Sequence, residues 1–345
     1  MGLAVGDALA MPTEGLSGWR RRSRYPEPLH YMGKWRGPSD DSQMAFWTLE
    51  QIVRDGRFDP AATARLFSER SEELIGLGSA GRRFRHRARN GGNWERWATS
   101  GTRAQGNGAL VRVAPIIVPH LRCATSDLWL DTVLCGRVTH DGQMSAACCV
   151  ALVHLIWSCL SLGAVPTPEW WVGEFARIYR ELDDTSARAD ATDARPLLRK
   201  FSGDLADFLE GPVMSAFQSG RTVRAVCDPY EGLWGSGPDL RETVPSLIFI
   251  LMKEGADFER AMDLTVRYTR DNDTIGALVG TVLGALHGLS GIPQRWVRGH
   301  SGVTRRKDKG QVFHLVRDAR AKFFDGRSED GTDGDGRRPG PHSNA

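Results

Sequence analysis

The chain has 345 residues, of which 41% are apolar and 25% are charged, and its formal net charge at pH 7 is +3. This composition is ordinary for a globular protein, and so small a net charge gives no evidence for nucleic-acid binding. The six cysteines form no Cys-x-x-Cys pair, which argues against a zinc site. Because the sequence also lacks the pattern of a secretory leader, we expect reduced thiols and a cytoplasmic protein.

Helical patterns dominate the chain and alternating strand patterns are scarce, which predicts an all-α fold. In chain order, we predict helices at about residues 2–10, 40–55, 60–75, 107–121, 126–135, 143–162, 168–182, 194–210, 212–226, 242–254, 257–268 and 272–288. Glycine, proline and arginine predict loops at Pro26–Pro38, Gly76–Gly106 and Asp228–Leu240. Residues 326–345 lack large apolar side chains, so we predict a disordered tail after a single domain at 1–325.

One stretch, from Met144 to Pro166, contains no Asp, Glu, Lys or Arg and is long enough to cross a bilayer. It is rich in alanine, serine and cysteine, includes His154 and has no basic flank. These features favour a buried core helix over a membrane span. We therefore expect no membrane association, and we expect a monomer.

Two arginine-rich runs stand out, at Arg20–Arg24 and Arg82–Arg89. The simplest interpretation of such a run is a solvated surface. The functional alternative is a docking site for an acidic partner or a phosphate.

The segment from Gly37 to Met44 reads GPSDDSQM and predicts the end of a turn and the start of a helix. Ser39 or Asp40 can cap this helix, and acidic residues in the first turn suit the helix dipole. Capping accounts for one carboxylate. Two adjacent carboxylates beside a hydroxyl also suit a hard divalent cation such as magnesium or manganese.

A second acidic segment, Arg270 to Thr274, reads RDNDT and also opens a helix. Asp271 and Asp273 can face one side only if the chain at Asp271 is not yet helical. Glycines follow at intervals of four, which permits very close packing against a neighbouring helix although each glycine weakens the helix by about 1 kcal/mol. Each acidic segment alone is explained by capping, but two of them together fit a two-metal site.

Two further motifs complete the pattern. In chain order, the four motifs are GLAVGDAL at Gly2–Leu9 with Pro12 and Glu14 after it, SDDSQM at Ser39–Met44, GNGA at Gly106–Ala109 with Arg112 and Thr139-His140 after it, and DNDT at Asp271–Thr274 with Gly284, Gly288 and Trp296 after it. Their order and spacing resemble the ADP-ribosylglycohydrolase family over about residues 1–298. The resemblance implies an orthogonal all-α helical bundle that removes ADP-ribose from a modified target.

The resemblance also implies a centre of two magnesium or manganese ions. One ion would be held by Ser39, Asp40, Asp41 and Asp273, and the other by Asp271, Asp273 and Thr274. A loop after the first helix would contribute an acidic residue, for which Glu14 and Glu27 are the candidates. The catalytic base would be Asp41 or that loop glutamate.

For the ligand, the resemblance implies that the Gly106-Asn107-Gly108 turn approaches the pyrophosphate and that His140 contacts the ADP-ribose. Without the resemblance, that turn is a plain turn signal and His140 is an ordinary surface or capping residue. The expected partner is an ADP-ribosylated protein or an ADP-ribose derivative.

Several interpretations of the function stay open at this point. One alternative is a non-catalytic ADP-ribose-binding or crystallin-like protein, and others are a toxin-immunity role or another magnesium hydrolase acting on nucleotides. Many relatives have two glycines where this chain has Thr269 and Arg270, which leaves the substrate open. The motif at Gly6–Leu9 favours the arginine-directed branch, so we predict cleavage of ADP-ribosyl-arginine rather than ADP-ribosyl-serine.

Overall fold

The computed structural model describes residues 1–25, 28–32, 37–100, 105–122, 125–182, 197–198, 201–228 and 230–325. Its α-helices are α1 (Gly2–Ala10), α2 (Gly18–Arg24), α3 (Asp40–Asp55), α4 (Pro60–Glu69), α5 (Ser79–Arg89), α6 (Gly108–Arg112), α7 (Asp127–Arg137), α8 (Gln143–Ser161), α9 (Pro168–Leu182), α10 (Leu205–Phe208), α11 (Met214–Gln218), α12 (Val223–Cys227), α13 (Leu240–Glu254), α14 (Phe258–Tyr268), α15 (Asn272–Gly291), α16 (Gln294–Gly299) and α17 (Gln311–Arg320). Two short parallel strands, β1 (Thr99–Ser100) and β2 (His140–Asp141), pair Thr99 with His140.

The two most closely packed helices are α1 and α15, which meet along rows of glycine. A Cβ atom on Gly2 would overlap the carbonyl of Gly280, and one on Gly6 would overlap the carbonyl of Gly276. The backbones are therefore in direct contact, which confirms the close packing predicted from the glycine spacing. Gly288 has a φ of 67° and lies at a kink within α15, outside this seam.

Other apolar faces pack around this pair. The main core includes buried side chains of α3, α8, α9, α13 and α14. A second, smaller core joins Met44 and Trp47 of α3 to Phe67 of α4 and to Phe84 of α5. The helix that carries the first acidic motif is thus packed on two sides.

Two helices of the described residues are long and apolar enough to cross a membrane, α8 and α15. In α8, 61% of the most apolar window is buried inside the fold, and in α15 the share is 50%. Both helices pack against several others. This burial agrees with the core-helix interpretation of Met144 to Pro166.

The all-α prediction is confirmed, and α1, α3 and α9 have the predicted bounds. The range 60–75 was wrong at its end, because α4 stops at Glu69 and a 3₁₀ turn follows at Ser71–Glu73. The range 212–226 is broken at Gly220, whose φ is 71°. The predicted helix at 194–210 was wrong over 201–204, which are not helical, because α10 begins at Leu205 after its N-cap Asp204. Residues 194–196 and 199–200 of that range, and the whole tail at 326–345, lie outside the described residues.

Two arginine-rich helices were not predicted. The range Gly76–Gly106, predicted as a loop, includes α5, and α2 precedes the predicted loop at Pro26–Pro38. Both helices bury few residues: Ala80 and Phe84 in α5, and Gly18 and Arg21 in α2. Their weak apolar periodicity explains why the sequence pattern did not predict them.

Candidate active site

The two acidic motifs meet because α3 and α15 begin at the same place in the fold. The Thr274 hydroxyl of α15 donates a hydrogen bond of 2.6 Å to Oδ2 of Asp41 in α3. Asp271 is the N-cap of α15, with φ −89° and ψ 62°, so it stands before the helical turn. This non-helical backbone lets Asp271 and Asp273 face one side, as the sequence required.

Ser39 has a capping role at the start of α3. Its hydroxyl accepts a hydrogen bond of 3.2 Å from the backbone N–H of Asp41. Its own backbone N–H donates to Asp7 of α1 at 2.9 Å, and the backbone N–H of Ser42 donates to the same carboxylate at 3.2 Å. Asp7, which is fully buried, therefore orients the acidic motif from beneath.

Three carboxylates lie close enough to share a cation. Atoms of Glu14, Asp271 and Asp273 all lie within 4.8 Å of one another. The Oδ1 atom of Asp273 is buried without a hydrogen-bond partner among the described residues. A buried, unpaired carboxylate oxygen is costly, and a cation at this point would satisfy it. The donor set consists of oxygen atoms, which fits magnesium or manganese.

Burial and mutual repulsion raise the pKa of the acids in this cluster. Burial and the nearby Asp7, Glu14 and Asp271 raise the pKa of Asp40 to about 7. Burial likewise raises the pKa of Asp7 to about 6, against hydrogen bonds from Ser42 and Ser39. The pKa of Asp273 is well above its ordinary value, through burial and the charges of Asp271 and Asp41. So crowded an acidic group requires protons or cations to balance its charge.

The Gly106-Asn107-Gly108 turn lies beside the acidic cluster and lines the same cleft. The Asn107 side-chain amide donates to Asp271 at 2.6 Å and to the Thr243 hydroxyl at 2.8 Å. A Cβ atom on Gly106 would stand 3.3 Å from Nε2 of His140, so glycine lets the turn lie against the imidazole ring. Asn107 thereby links the turn to the acidic cluster.

His140 is held by a chain of polar contacts. The Arg112 guanidinium donates to the Thr139 hydroxyl, which lies 2.7 Å from Nδ1 of His140. Because Arg112 can only donate, the hydroxyl is best satisfied by donating its own hydrogen to Nδ1. Burial, Arg112 and Arg83 lower the pKa of His140 to about 3, so the ring is neutral at ordinary pH. The remaining proton is then on Nε2.

These residues line one cleft of about 680 Å³. The predicted site residues on its wall are Glu14, Asp40, Asp41, Gly106, Asn107, Gly108, His140, Asp271, Asp273 and Thr274. Ser39 lies behind them, fully buried. Glu27 lies outside the described residues, so Glu14 is the loop acid that the structure places at the cluster.

Sequence reasoning left three features of the site unassigned. Asp7 supports the first motif, and its signal is that it is the one charged residue in the apolar sequence of α1. Arg270 lines the cleft, as does the run from Gly76 to Arg83. That run contains no motif of its own, so only its packing beside Asp40 and Glu14 reveals it.

The model of the ADP-ribosylglycohydrolase family matches residues 1–327. The chain belongs to the ADP-ribosylglycohydrolase family. The names of the family and of a relative denote a hydrolase of glycosidic bonds, and the chain is an enzyme of this class. The family match also covers the four motifs from which the resemblance was drawn.

The chain is also similar to individual proteins. An uncharacterised protein of Archaeoglobus fulgidus is 28% identical, over 87% of this chain and 89% of its own length. The ADP-ribosylarginine hydrolase Tri1 of Pseudomonas putida is 25% identical, over 86% of this chain and 71% of its own length. A solved structure titled ADP-ribosylglycohydrolase-related protein complex superposes with a TM-score of 0.63 at 23% identity, covering 93% of this chain and 94% of the other. That likeness shows the fold.

Proposed function

We propose that this glycohydrolase removes ADP-ribose from arginine side chains and requires two magnesium or manganese ions. The observation that carries the proposal is the cluster of carboxylates at the meeting of α3 and α15, with a buried oxygen of Asp273 unpaired among the described residues. The name of the Pseudomonas putida relative supports the arginine linkage.

The metal ligands that we propose are Asp40, Asp41, Asp271, Asp273 and Thr274, with Glu14 added from the loop after α1. All six line the cleft. When bound, the ions would polarise the ribose hydroxyls and favour deprotonation of water. Ser39 would act through its cap at Asp41 and through the hydrogen bond that holds it on Asp7.

The chain's own groups would bind and orient the rest of the ligand. The Gly106–Gly108 turn allows the backbone to approach a pyrophosphate, since glycine has no side chain in the way. His140 would donate from Nε2 to a ligand oxygen. Its neutral state avoids a second positive charge beside Arg112.

For proton transfer, we favour Glu14 over Asp41. Glu14 is exposed, whereas Asp41 is buried and already accepts a hydrogen bond from Thr274. In the reaction, the bond between the anomeric carbon and the guanidine nitrogen breaks, and the water oxygen bonds to that carbon. The water proton passes to the Glu14 carboxylate and then to the departing guanidine, so that Glu14 is regenerated.

The leaving group is the physical reason for favouring arginine. A guanidine departs as a strong base that becomes a cation, so it suits a cleft floor rich in carboxylates. A serine oxygen leaves as an anion and needs a proton or a cation to neutralise it. Arg270 lies on the same cleft wall and opposes this preference if its guanidinium faces the leaving group.

The test is a comparison of kcat/KM on two peptides of one sequence, ADP-ribosylated on arginine or on serine. We expect turnover of the arginine-linked peptide, loss of turnover in EDTA, and recovery with magnesium or manganese but not with zinc. Full activity in chelated protein would refute the metal requirement. A preference for serine would refute the linkage.

The family assignment argues against the alternative of a protein that binds ADP-ribose without cleaving it, because the chain belongs to a family of glycosidic hydrolases. Binding of both peptides without cleavage of either, at any metal concentration, would contradict the proposed reaction.

A further inference from the structure

The proposed reaction gives no role to the arginine-rich helix α5, which begins at the cleft. Its sequence is SAGRRFRHRAR. Arg82, His86, Arg87 and Arg89 are exposed, and Arg85 is half-buried. So many cations on one short helix repel each other, and this repulsion brings no benefit to the fold.

The helix begins at the cleft and runs away from it. Its first turn, from Ser79 to Arg83, lines the cleft, whereas the residues from Phe84 to Arg89 do not. The loop before it lies on the acidic cluster, since a Cβ on Gly76 would stand 3.3 Å from Oδ1 of Asp40. A substrate polypeptide that leaves the cleft beside the first turn of α5 would therefore run along this helix. The helix is roughly 16 Å long at 1.5 Å per residue.

The orientation of α5 is fixed by its one aromatic residue. Phe84 is buried, with its ring centroid 5.8 Å from that of Trp97. This contact belongs to the small core that includes Met44 of the first acidic motif. The cations on the outer face of α5 are consequently held at a constant position relative to the site.

Most of the contacts made by these arginines leave their charge in place. Arg85 donates to the carbonyl of Ser71 at 3.5 Å, and Arg87 donates to the carbonyl of Ala98. Carbonyl groups are neutral. Arg89 pairs with Glu72, but both side chains are more than half exposed, so water and salt screen the pair.

We infer that α5 is the docking surface for an acidic segment of the ADP-ribosylated protein. The segment would extend from the modified arginine along α5, with its Asp and Glu side chains against Arg85 and Arg89, which lie four residues apart on one face of the helix. An extended chain covers the length of α5 with about five residues, so the acidic positions lie within about eight residues of the modified arginine. This inference rests on the proposed arginine linkage for the identity of its substrate.

A protein segment is favoured over a nucleic acid. Binding of single-stranded nucleic acid uses exposed aromatic side chains between the cations, on which bases stack. α5 contains no Tyr or Trp, and its one Phe, Phe84, is buried and is not available for stacking. The small net charge of the whole chain also gives little general attraction for a polyanion.

The experiment uses the full chain and three ligands. Two are peptides of about 15 residues with one ADP-ribosyl-arginine, of which one has Glu at the flanking positions and the other has Gln; the third is free ADP-ribosyl-arginine. The test variant combines Arg85→Gln and Arg89→Gln, because glutamine retains a donor for the carbonyl contact of Arg85. The control variant combines Arg317→Gln and Arg320→Gln, which removes two exposed charges remote from the cleft.

We expect the wild type to favour the Glu peptide over the Gln peptide by about tenfold in kcat/KM at low salt, mainly through KM. The test variant should lose this preference and keep its activity on free ADP-ribosyl-arginine, and the control variant should behave as the wild type. Equal losses on all three ligands, or an equal loss in the control variant, would overturn the inference.

A binding measurement separates this inference from the proposed function. The fluorescently labelled Glu peptide without ADP-ribose should bind the wild type weakly and bind the test variant at least about fivefold more weakly. This readout needs no turnover, so it tests the surface even if the linkage is wrong. If labelled oligonucleotides discriminate the two variants and the Glu peptide does not, the inference is overturned and the surface serves nucleic acid instead.

Discussion

At the scale of the residue, Asp273 is the carboxylate whose environment most requires a cation. Its Oδ1 atom is buried without a partner among the described residues, and burial raises its pKa well above the ordinary value. We predict that Asp273→Asn lowers kcat by on the order of 100-fold or more, because the amide removes a charge from the proposed metal site. Circular dichroism should give the wild-type helical signal.

The matched control for Asp273 is Asp318→Asn, an exposed residue of α17. It should leave kcat unchanged. Thermal melting in EDTA adds a second readout: replacing the Asp273 carboxylate by an amide relieves repulsion, so the Asp273→Asn variant should melt no lower than the wild type. A variant that fails to fold would show that Asp273 is chiefly a structural residue of the α15 start.

His140 predicts a pH dependence of stability. Burial beside Arg112 lowers its pKa to about 3 in the folded chain, below the ordinary value of 6.5. The neutral ring therefore stabilises the fold fully above pH 6.5, and this contribution is lost as the pH falls towards 3. By a pH of about 5.5 the loss from this group is about 1 kcal/mol in the free energy of unfolding.

The measurement is urea unfolding at pH values of about 7.5 and about 5.5, which lie on either side of the ordinary histidine pKa. The proteins compared are the wild type, His140→Gln and the exposed control His314→Gln. Removing the imidazole should make the free energy of unfolding less sensitive to pH, while the control keeps the wild-type difference. Equal pH sensitivity in all three proteins would show that His140 is solvated.

Individual residues also show how far the sequence predicted the site. The pairs Asp40-Asp41 and Asp271-Asp273 were predicted from their position at helix starts, because capping and cation binding both leave a mark in the local sequence. Asp7 was not assigned, since its role depends on accepting from the Ser39 backbone more than 30 positions away. A contact of this kind has no local signal.

At the scale of the element, the seam between α1 and α15 sets the tolerance of the fold to substitution. A Cβ on Gly280 would overlap the carbonyl of Gly2, and backbone cannot rotate aside as a side chain can. We predict that Gly280→Ala destabilises the chain by at least about 2 kcal/mol. Chemical unfolding measures the change.

The control for the seam is Gly173→Ala in the exposed face of α9, where a Cβ meets nothing within 4 Å. There the helix propensity of alanine should stabilise the chain by up to about 1 kcal/mol. Stabilisation by both substitutions would contradict the close approach of the two backbones.

Helices were predictable from the sequence where their buried residues recur at helical spacing. In α14, the buried residues Phe258, Ala261, Met262 and Thr265 follow that spacing, and the prediction missed its start by one residue. In α5, two of eleven residues are buried, so the pattern carries almost no apolar signal. Its helical state comes from the packing of Phe84 on the second core, which the local sequence does not contain.

At the scale of the whole molecule, the predicted single domain at 1–325 can be tested by removing residues 326–345. These residues offer no large apolar side chain to bury. We predict that truncation after Asp325 changes neither the melting temperature nor kcat/KM on ADP-ribosyl-arginine. A drop of several degrees would mean that the segment packs on the domain. Truncation after Gly310, which removes the buried Val312 and Leu315 of α17, is the positive control for destabilisation.

The glycine seam also has a consequence for how the chain acquires its structure in time. α1 begins at Gly2 and its partner α15 begins at Asn272, 270 residues later. At ordinary rates of translation the ribosome needs on the order of tens of seconds to synthesise that interval. During this interval, the apolar helix α1 lacks the surface of α15 that covers it in the fold. The carboxylates of Asp271 and Asp273 have not yet been synthesised. Binding of the proposed metal ions would therefore follow the synthesis of α15, and the nascent chain is exposed to aggregation for as long as α15 is absent.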